Sequence, residues 1–259
     1  MCNSCKYGRA NRRACVHCGR KTGSIRNKQC SQCRYGPEPK LRSMALSELL
    51  WFTGILEGEG TFALNRVHGA IRVAMTDRDI IERLQAVSGV GLIHSRAPRT
   101  SRRQATWDWE VVRVETVGKL AASVAPFLLG RRRDRVGDLL GRHGIFLPPP
   151  TPILGGSLEA WAWVAGLLEG EGWLSPGPAT HARKVKLGVS STDWDVLDRL
   201  HVLTGAGSIY PVKRRRETWK PAWQWTVSNR RDVHGILNQI LPWLGERRSE
   251  RARYVLRKT

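Results

Sequence analysis

Residues 52–60 read FTGILEGEG, and residues 164–172 read VAGLLEGEG. Each stretch is a helix-favouring apolar run that ends in Glu-Gly-Glu-Gly, and each carries two glycines four positions apart. Residues at that spacing lie on one face of a helix, although each interior glycine costs a helix about 1 kcal/mol relative to alanine. A glycine face is useful where another backbone approaches closely. We therefore expect the two helices to pack together along Gly54, Gly58, Gly166 and Gly170.

This packing would bring the last acid of each stretch, Glu59 and Glu171, side by side at two helix C-termini. Carboxylates in that position oppose the helix dipole and repel one another. A bound cation would offset both penalties, and oxygen ligands suit Mg2+, or Mn2+ or Ca2+ in the same site. The alternative interpretation is a pair of solvated surface turns, which two copies in matched contexts disfavour.

A longer internal repeat surrounds the two stretches. Residues 76–95 align with residues 192–211, with Asp77 matching Asp193, and this indicates an internal duplication. The sequence therefore predicts an α+β fold made of two pseudo-symmetric αββαββα repeats of antiparallel sheet and helix. The repeats span residues 43–143 and 157–259, and a linker rich in Pro and Gly joins them at 144–156.

Hydrophobic periodicity and turn residues predict the elements of the first repeat. Ser157 is expected to cap the second motif helix, and Ser43 or Ser47 the first. Thr76 is expected to cap a helix that Gly89 ends. After the motif, the predicted elements are strands 61–67 and 70–76, a helix at 76–88, strands 92–97 and 105–114, and two closing helices at 116–126 and 131–142.

All six cysteines lie within residues 1–36, where they form three Cys-x-x-Cys pairs. Paired cysteines at this spacing are typical of tetrahedral zinc sites, and in an intracellular chain zinc is favoured over disulfides. We predict a small N-terminal zinc-binding module that would be too short to fold without its metal. The favoured zinc ligands are Cys15, Cys18, Cys30 and Cys33, while Cys2 and Cys5 replace one pair or share a second ion.

The charge balance indicates the class of partner. The chain has 259 residues with 43 Lys and Arg against 22 Asp and Glu, a formal net charge of +21. Such an excess favours a polyanion, with nucleic acid first and an anionic membrane second. No stretch is apolar for the ~20 residues that spanning a bilayer needs, and the N-terminus has no apolar signal core. We therefore expect an intracellular protein that has no membrane partner.

Basic side chains recur on the predicted strands and hairpin loops. The segment 184–189 alternates lysines with apolar residues, which gives one basic face and one core face. A strand pair of this kind fits the DNA major groove, and the basic loops at 96–103 and 213–220 would reach the ends of a long site. The candidate DNA-binding residues are Arg66, Arg72, Arg96, Arg99, Arg102, Arg103, Lys184, Lys186, Lys213, Arg214, Arg215 and Arg216.

The paired motifs and the matching repeat resemble the LAGLIDADG homing endonucleases, in their single-chain form with two motifs. The resemblance covers residues 43–257, and the cysteine-rich segment is an addition to it. It implies that the last acid of each motif and the preceding glycine carbonyl bind the catalytic metals, that the first acids are structural, and that the sheets form a saddle over the DNA major groove. The implied metal ligands are Glu59, Glu171, Gly58 and Gly170, and the structural acids are Glu57 and Glu169.

The resemblance also implies a catalytic basic residue shortly after a helix end of the Pro-Phe-Leu type. A cation there would stabilise charge that develops during cleavage. The polar residue that organises water in the family has no clear match at 73–75 or 190–191. The two matching basic residues are Arg131, which follows PFL at 126–128, and Arg247, which follows PWL at 242–244.

These observations lead to one favoured hypothesis. The chain is a monomeric, metal-dependent endonuclease that hydrolyses both strands of a long, asymmetric DNA target. Two alternatives use the same fold: a maturase that assists the splicing of intron RNA, and a DNA-binding protein that has lost cleavage. Both motif acids, Glu59 and Glu171, are present, and this favours the endonuclease. The cysteine-rich segment fits all three hypotheses.

Overall fold

The chain divides into two compact units, Met1–Lys40 and Leu41–Thr259. The structure is a computed structural model. Of the first unit it describes Lys40 and the backbone of four short strands. Within the described part of the chain, no helix is long and apolar enough to cross a membrane. Apart from those four strands, the described residues are 40–64, 69–98, 104–177, 185–214 and 216–257.

The first unit contains two short antiparallel ladders. Strand β1 pairs with β2, and strand β3 pairs with β4. Cys30 lies in β4, but its side chain and the other five cysteines lie outside the described residues. Zinc binding by this segment therefore stays a prediction. The four strands are β1 (Arg13–Ala14), β2 (Lys21–Thr22), β3 (Ile25–Arg26) and β4 (Gln29–Cys30).

The second unit begins with the first predicted repeat, called here the first half. Its elements follow the predicted order, and the two predicted closing helices are both present, one more than the pattern αββαββα counts. Pro126 lies in a 3-10 turn, Ala125–Phe127, that separates them. The elements are α1 (Leu46–Glu59), β5 (Thr61–Ala63), β6 (Ala70–Met75), α2 (Arg78–Ser88), β7 (Leu92–Arg96), β8 (Thr106–Val111), α3 (Val114–Val124) and α4 (Gly130–Arg142).

The second half has the same succession of elements, and a 3-10 turn at Leu241–Trp243 again separates its last two helices. Among the described residues the second unit is thus an α+β structure with eight helices and two four-stranded sheets. The second-half elements are α5 (Leu158–Glu171), β9 (Gly172–Ser175), β10 (Lys186–Ser191), α6 (Trp194–Thr204), β11 (Ser208–Pro211), β12 (Trp223–Val227), α7 (Arg230–Ile240) and α8 (Glu246–Arg257).

The two antiparallel sheets have equivalent topology. The strand order is β5-β6-β8-β7 in the first half and β9-β10-β12-β11 in the second. Side chains alternate along each strand, so Val73 and Trp109 are buried in the core while Arg72 is exposed on the opposite face. In the second sheet Val189 and Trp225 are buried and Lys186 is exposed in the same way. Each sheet therefore presents one polar face away from the helices.

Helices α1 and α5 pack along their glycine faces, as predicted. A Cβ added to Gly54 would lie 2.8 Å from the backbone nitrogen of Leu167, and one added to Gly166 would lie 2.9 Å from that of Ile55. Real Cβ atoms essentially never approach that closely, so the two backbones are in direct contact where glycine is required. We call this contact the glycine seam. Its members are Gly54, Gly58, Gly166 and Gly170.

Two predicted helix starts are wrong and one is confirmed. The Ser157 hydroxyl accepts a hydrogen bond from the Ala160 N–H at 3.1 Å and caps α5, as predicted. Helix α1 instead starts after Ala45, neither Ser43 nor Ser47, because the Glu48 carboxylate accepts the Ala45 N–H at 3.0 Å. Helix α2 starts after Asp77, one residue later than a Thr76 cap would set it, and Gly89 ends it in the left-handed conformation as predicted.

The strands of the first half are shorter than predicted. Strand β5 ends at Ala63, and residues 65–68 of the predicted hairpin lie outside the described residues. Strand β8 ends at Val111, because Val114 already belongs to helix α3, whose predicted start was residue 116. Alternation identified the strands correctly, but it does not mark where tertiary packing ends them.

Candidate metal and nucleic-acid site

Glu59 and Glu171 are the last residues of α1 and α5, and the glycine seam brings them together. A Cβ at Gly58 would lie 3.3 Å from Cγ of Glu171, and one at Gly170 would lie 3.2 Å from Cγ of Glu59. Each glutamate stem therefore rests against the glycine of the opposite helix. The predicted juxtaposition of the two acids is confirmed, and it depends on the absence of side chains at both glycines.

The electrostatics of this pair favour a bound cation. Burial, followed by the charge of Glu171, raises the pKa of Glu59. Burial also raises the pKa of Glu171, with a further contribution from Asp193. Both acids stand at helix C-termini, where the dipole disfavours negative charge. A cation between the two carboxylates would therefore be held more strongly here than at an ordinary surface pair.

The donor set can be tested against the predicted metal. Among the described residues no cluster of three or more His, Cys, Asp or Glu could hold an ion. Two carboxylates still fit Mg2+, which binds through one or two carboxylates and completes its coordination with waters and substrate phosphates. They do not fit a closed tetrahedral zinc site, which needs four protein ligands. The pair thus suits a hard cation shared with a bound phosphate.

Two arginines that the sequence reasoning missed hold the ends of the motif helices. Arg132 donates from Nε to the carbonyl of Glu57 and from Nη2 to the carbonyl of Gly58. Its charge lowers the pKa of both Glu59 and Glu171. Arg132 therefore supplies positive charge beside the acids, and it also occupies one of the carbonyls predicted to touch metal.

Arg248 plays the equivalent part in the second half. It donates from Nη2 to the carbonyl of Glu169 at 3.0 Å and from Nη1 to the carbonyl of Gly172 at 2.7 Å. Its Nε also lies 3.1 Å from Oε2 of Glu169 in an ion pair. Both arginines therefore satisfy a carbonyl in the last turn of a motif helix, but Arg248 also contacts Gly172, the residue after α5, where Arg132 contacts Gly58.

The predicted catalytic cations, Arg131 and Arg247, are paired with aspartates of the opposite half. Nη2 of Arg131 lies 2.8 Å from Oδ2 of Asp193. Nε and Nη2 of Arg247 donate to the two oxygens of Asp77, each at 2.7 Å, and this holds the pKa of Asp77 below its usual range. Arg131 and Arg247 remain more than half exposed. Their catalytic role stays a prediction.

The first acids of the motifs are buried, which agrees with a structural role. Glu57 accepts the Leu129 N–H at 3.1 Å, and Glu169 accepts the Gly245 N–H at 2.7 Å. Burial raises the pKa of Glu57 to about 8 and that of Glu169 to about 7, although Arg132 and Arg248 lie nearby. Each acid thus ties its motif helix to the chain just before the last helix of the same half.

A concave pocket of about 270 Å³ lies beside Glu171. Arg131, Arg132, Asp193 and Glu57 also line it, so two glutamates, two arginines and a paired aspartate share one surface depression. Ser190 and Ser191 line the same pocket, and they are the second-half positions where a water-organising side chain was sought. The side chains that the sequence offers there are hydroxyl groups, so the family's water-organising residue still has no clear match.

The predicted DNA-binding residues that the structure describes are all exposed. Arg72 and Lys186 lie on the outward sheet faces, Arg96 lies at the end of β7, and three others follow β11. These three are Lys213, Arg214 and Arg216. The predicted residues that lie outside the described ones are Arg66, Arg99, Arg102, Arg103, Lys184 and Arg215.

No protein-family model matches the chain, and no curated protein matches it. Solved structures nevertheless share its fold. The LAGLIDADG meganuclease I-AabMI bound to uncleaved DNA is 16% identical with a TM-score of 0.55, over 80% of this chain and 90% of its own. The LAGLIDADG homing endonuclease I-GzeII in complex with its DNA target is 14% identical with a TM-score of 0.52, over 83% and 89%.

A third structure, the meganuclease I-SmaMI bound to uncleaveable DNA, is 13% identical with a TM-score of 0.51, over 82% of this chain and 90% of its own. At such low identities the likeness establishes the fold. The second unit of this protein therefore has the fold of these DNA-bound meganucleases.

Proposed function

We propose that this protein is a site-specific DNA endonuclease that cuts both strands of a long, asymmetric target with the help of a divalent metal. The observation that carries the proposal is the placement of Glu59 and Glu171 against each other across the glycine seam. An oxygen-ligand pair at two helix ends is costly without a cation. The shared fold with DNA-bound LAGLIDADG meganucleases supports the same reading.

Glu59 and Glu171 would hold Mg2+, or Mn2+ or Ca2+ in the same site, together with the carbonyls of Gly58 and Gly170. Such a metal supplies Lewis acidity at a phosphate and an activated water. Arg132 donates to the Gly58 carbonyl, so it would share or release that oxygen when metal binds. Because the two halves are pseudo-symmetric, one acid would serve each DNA strand, and the product would be a double-strand break.

Arg131 and Arg247 would stabilise the charge that develops as each phosphodiester breaks. Their guanidinium groups are more than half exposed although each pairs with an aspartate. Exposed ion pairs of this kind are worth roughly 1 kcal/mol or less. A phosphate that approaches Glu171 could therefore compete with Asp193 for Arg131 at little energetic cost.

Double-stranded DNA would lie against the outward faces of the two sheets. The net charge of +21 provides the attraction, and the exposed Arg72, Lys186 and Lys213 lie where strands and loops would meet the duplex. Binding through many phosphate contacts predicts a steep loss of affinity as salt rises. Because both acids belong to one chain, we propose that the protein works as a monomer.

The proposal is tested with Glu59→Gln and Glu171→Gln in the full-length chain. The protein is incubated with Mg2+ and a randomised DNA library, and cut products and bound sequences are both counted. Each variant is expected to retain binding and to slow the cutting of at least one strand by about 100-fold or more. The matched control is Glu159→Gln, in the first turn of α5 at the opposite end from Glu171.

Three outcomes discriminate between the hypotheses. Variants that cut like the parent protein would show that the metal-binding residues are misassigned. Sequence-selective binding without cutting by the parent would identify a cleavage-inactive DNA-binding protein of the same fold. Selective binding of a structured intron RNA in place of duplex DNA would identify a maturase.

We further propose that residues 1–36 bind zinc through Cys15, Cys18, Cys30 and Cys33. The support is their Cys-x-x-Cys spacing. Elemental analysis of the purified chain is expected to find about one zinc ion per molecule, held by four thiolates. The variant Cys15→Ser with Cys18→Ser should lose that ion, and an unchanged zinc content would eliminate this ligand set.

A further inference from the structure

The outward faces of the two sheets carry different chemistry at matched positions. We call the outward side chains of β5–β8 the first reading face, and those of β9–β12 the second reading face. In the first, Arg72, Glu110 and Leu92 stand in one row across strands β6, β8 and β7. In the second, the equivalent row is Gly188, Thr226 and Ser208. The backbone positions correspond, so the contrast lies in the side chains alone.

The first reading face carries two ion pairs. Nε of Arg72 donates to Oε1 of Glu110, its cross-strand neighbour. Nε and Nη2 of Arg96 donate to the two oxygens of Asp108, the second at 2.6 Å. The arginine side chains are 52% and 66% exposed, while the acids are 23% and 14% exposed. The guanidinium groups are thus the more accessible partners, and the less exposed carboxylates accept their hydrogen bonds.

The second reading face has neither ion pair. Gly188 replaces Arg72, and a Cβ added there would lie 2.6 Å from a ring carbon of Trp173, so the indole covers that position. Gln224 and Thr226 replace the two acids, and Nε2 of Gln224 donates to Oγ1 of Thr226 at 3.1 Å. Strands β9–β12, all within the described residues, contain no Asp or Glu.

Glu110 and Asp108 lie on a face that would contact DNA, and each neutralises an arginine that would otherwise bind phosphate. Their presence there points to a role other than phosphate binding. Phosphate contacts position a protein, whereas contacts with base edges give sequence specificity. Arginine donates two hydrogen bonds to O6 and N7 of guanine, and a carboxylate accepts one from N4 of cytosine. An adjacent arginine and acid therefore match the two edges of a G·C pair, and glutamine matches adenine.

We propose that the Arg72–Glu110 and Arg96–Asp108 pairs each read a G·C base pair, so that the half-site under the first half requires G·C where the half-site under the second half accepts A·T. The inference rests on the proposed function and deepens it. It assigns the asymmetry of the target to four side chains. The second reading face, with Trp173, Gln224 and Thr226, offers apolar and neutral contacts suited to thymine methyl groups and adenine.

The test is selection of bound duplexes from a randomised library by the full-length protein, followed by sequencing. The parent protein should show G·C positions concentrated in one half-site. Glu110→Gln and Asp108→Asn should each reduce the preference at one base pair by about 5- to 150-fold, the range that one good base contact supplies. Arg72→Lys keeps the charge but loses the bidentate geometry, and it should affect the same base pair as Glu110→Gln. Glu115→Gln, an exposed acid in the first turn of helix α3, is the control that should change nothing.

A transplant provides the converse measurement. Val212 is the counterpart of Arg96 and is exposed, and its N–H bonds to the carbonyl of Ala222 across the ladder. The double variant Val212→Arg with Gln224→Asp should add a G·C preference to the second half-site. If the parent selects no sequence at all, the proposed endonuclease function fails. If it selects a site but Glu110→Gln, Asp108→Asn and the transplant leave base preferences unchanged, the reading-face inference is overturned.

Discussion

The two halves of the molecule match where they face each other and differ where they face outward. Asp77 of the first half accepts both hydrogen bonds of Arg247, while Asp193 of the second half accepts one from Arg131. The outward positions differ instead: Arg72 in the first sheet corresponds to Gly188 in the second. The duplicated residues therefore preserve the contact between halves, and the divergent residues are free to take on separate roles.

A second matched contact supports this division. Arg83 donates to the carbonyl of Trp243 at 2.7 Å and lies 4.1 Å from the ring centroid of Trp51. Its counterpart Arg199 donates to the carbonyl of Phe127 and lies 5.3 Å from the ring centroid of Trp163. Each arginine crosses to the other half. Burial lowers the pKa of both guanidinium groups. The carbonyl and indole contacts offset the cost of burying these two charges.

Substitutions in the glycine seam, where the two halves contribute matched glycines, should have the largest effect on stability. Gly54→Ala and Gly166→Ala should each lower the free energy of unfolding by about 3 kcal/mol, because the new Cβ meets backbone that cannot move independently. Gly235→Ala, in helix α7 with nothing within 4 Å of the added Cβ, should instead stabilise by about 0.5–1 kcal/mol. Chemical denaturation of the three variants measures this, and equal small effects at all three sites would contradict direct backbone contact.

Substitution of the buried acids Glu57 and Glu169 should have the next largest effect on stability. The pH range of the effect should differ between the two halves. Burial raises the folded pKa of Glu57 to about 8 and of Glu169 to about 7. A raised folded pKa means that the unfolded chain releases its proton first, so stability falls as pH rises from about 4.5 towards the folded pKa. The loss should continue to about pH 8 for Glu57 and end near pH 7 for Glu169.

Glu57→Gln and Glu169→Gln should each flatten this part of the stability profile, because glutamine imitates the protonated acid and still accepts the backbone hydrogen bond. Glu57→Gln should remove the loss of stability that continues to about pH 8, and Glu169→Gln the loss that ends near pH 7. Denaturation midpoints recorded from pH 5 to pH 9, values bracketing the two folded pKa values, measure the effect. Profiles of both variants parallel to that of the parent would show that these acids titrate normally.

The crossed ion pairs should have the smallest effect. Asp77→Asn should lower the free energy of unfolding by about 1 kcal/mol and Asp193→Asn by about half as much, since only Asp77 accepts two hydrogen bonds from its arginine. The Asp77 contribution exists above the unfolded pKa and is lost as pH falls, because its folded pKa is lowered. Thermal unfolding at neutral pH and low salt measures both variants. Equal losses of stability would contradict the expected difference between Asp77 and Asp193.

Much of the candidate site could be predicted from residue spacing. Glycines four apart define a helix face wherever the helix lies, so the seam and the pairing of Glu59 with Glu171 followed from the repeated motif. Caps were harder to predict. The Ser157 cap was predicted correctly because its hydroxyl accepts the Ala160 N–H, whereas Glu48 determined the start of α1 through a backbone hydrogen bond.

The sequence by itself determined that this protein is a duplicated α+β chain with two acids brought together, because helix and strand periodicities and glycine spacing are local properties. Only the tertiary structure decided which arginine of each basic run holds the motif ends. Arg131 and Arg132 are neighbours with the same chemistry, but helix α4 directs Arg132 to the Gly58 carbonyl and Arg131 to Asp193. Which group each side chain of a helix contacts depends on how that helix packs, and packing is a property of the whole fold.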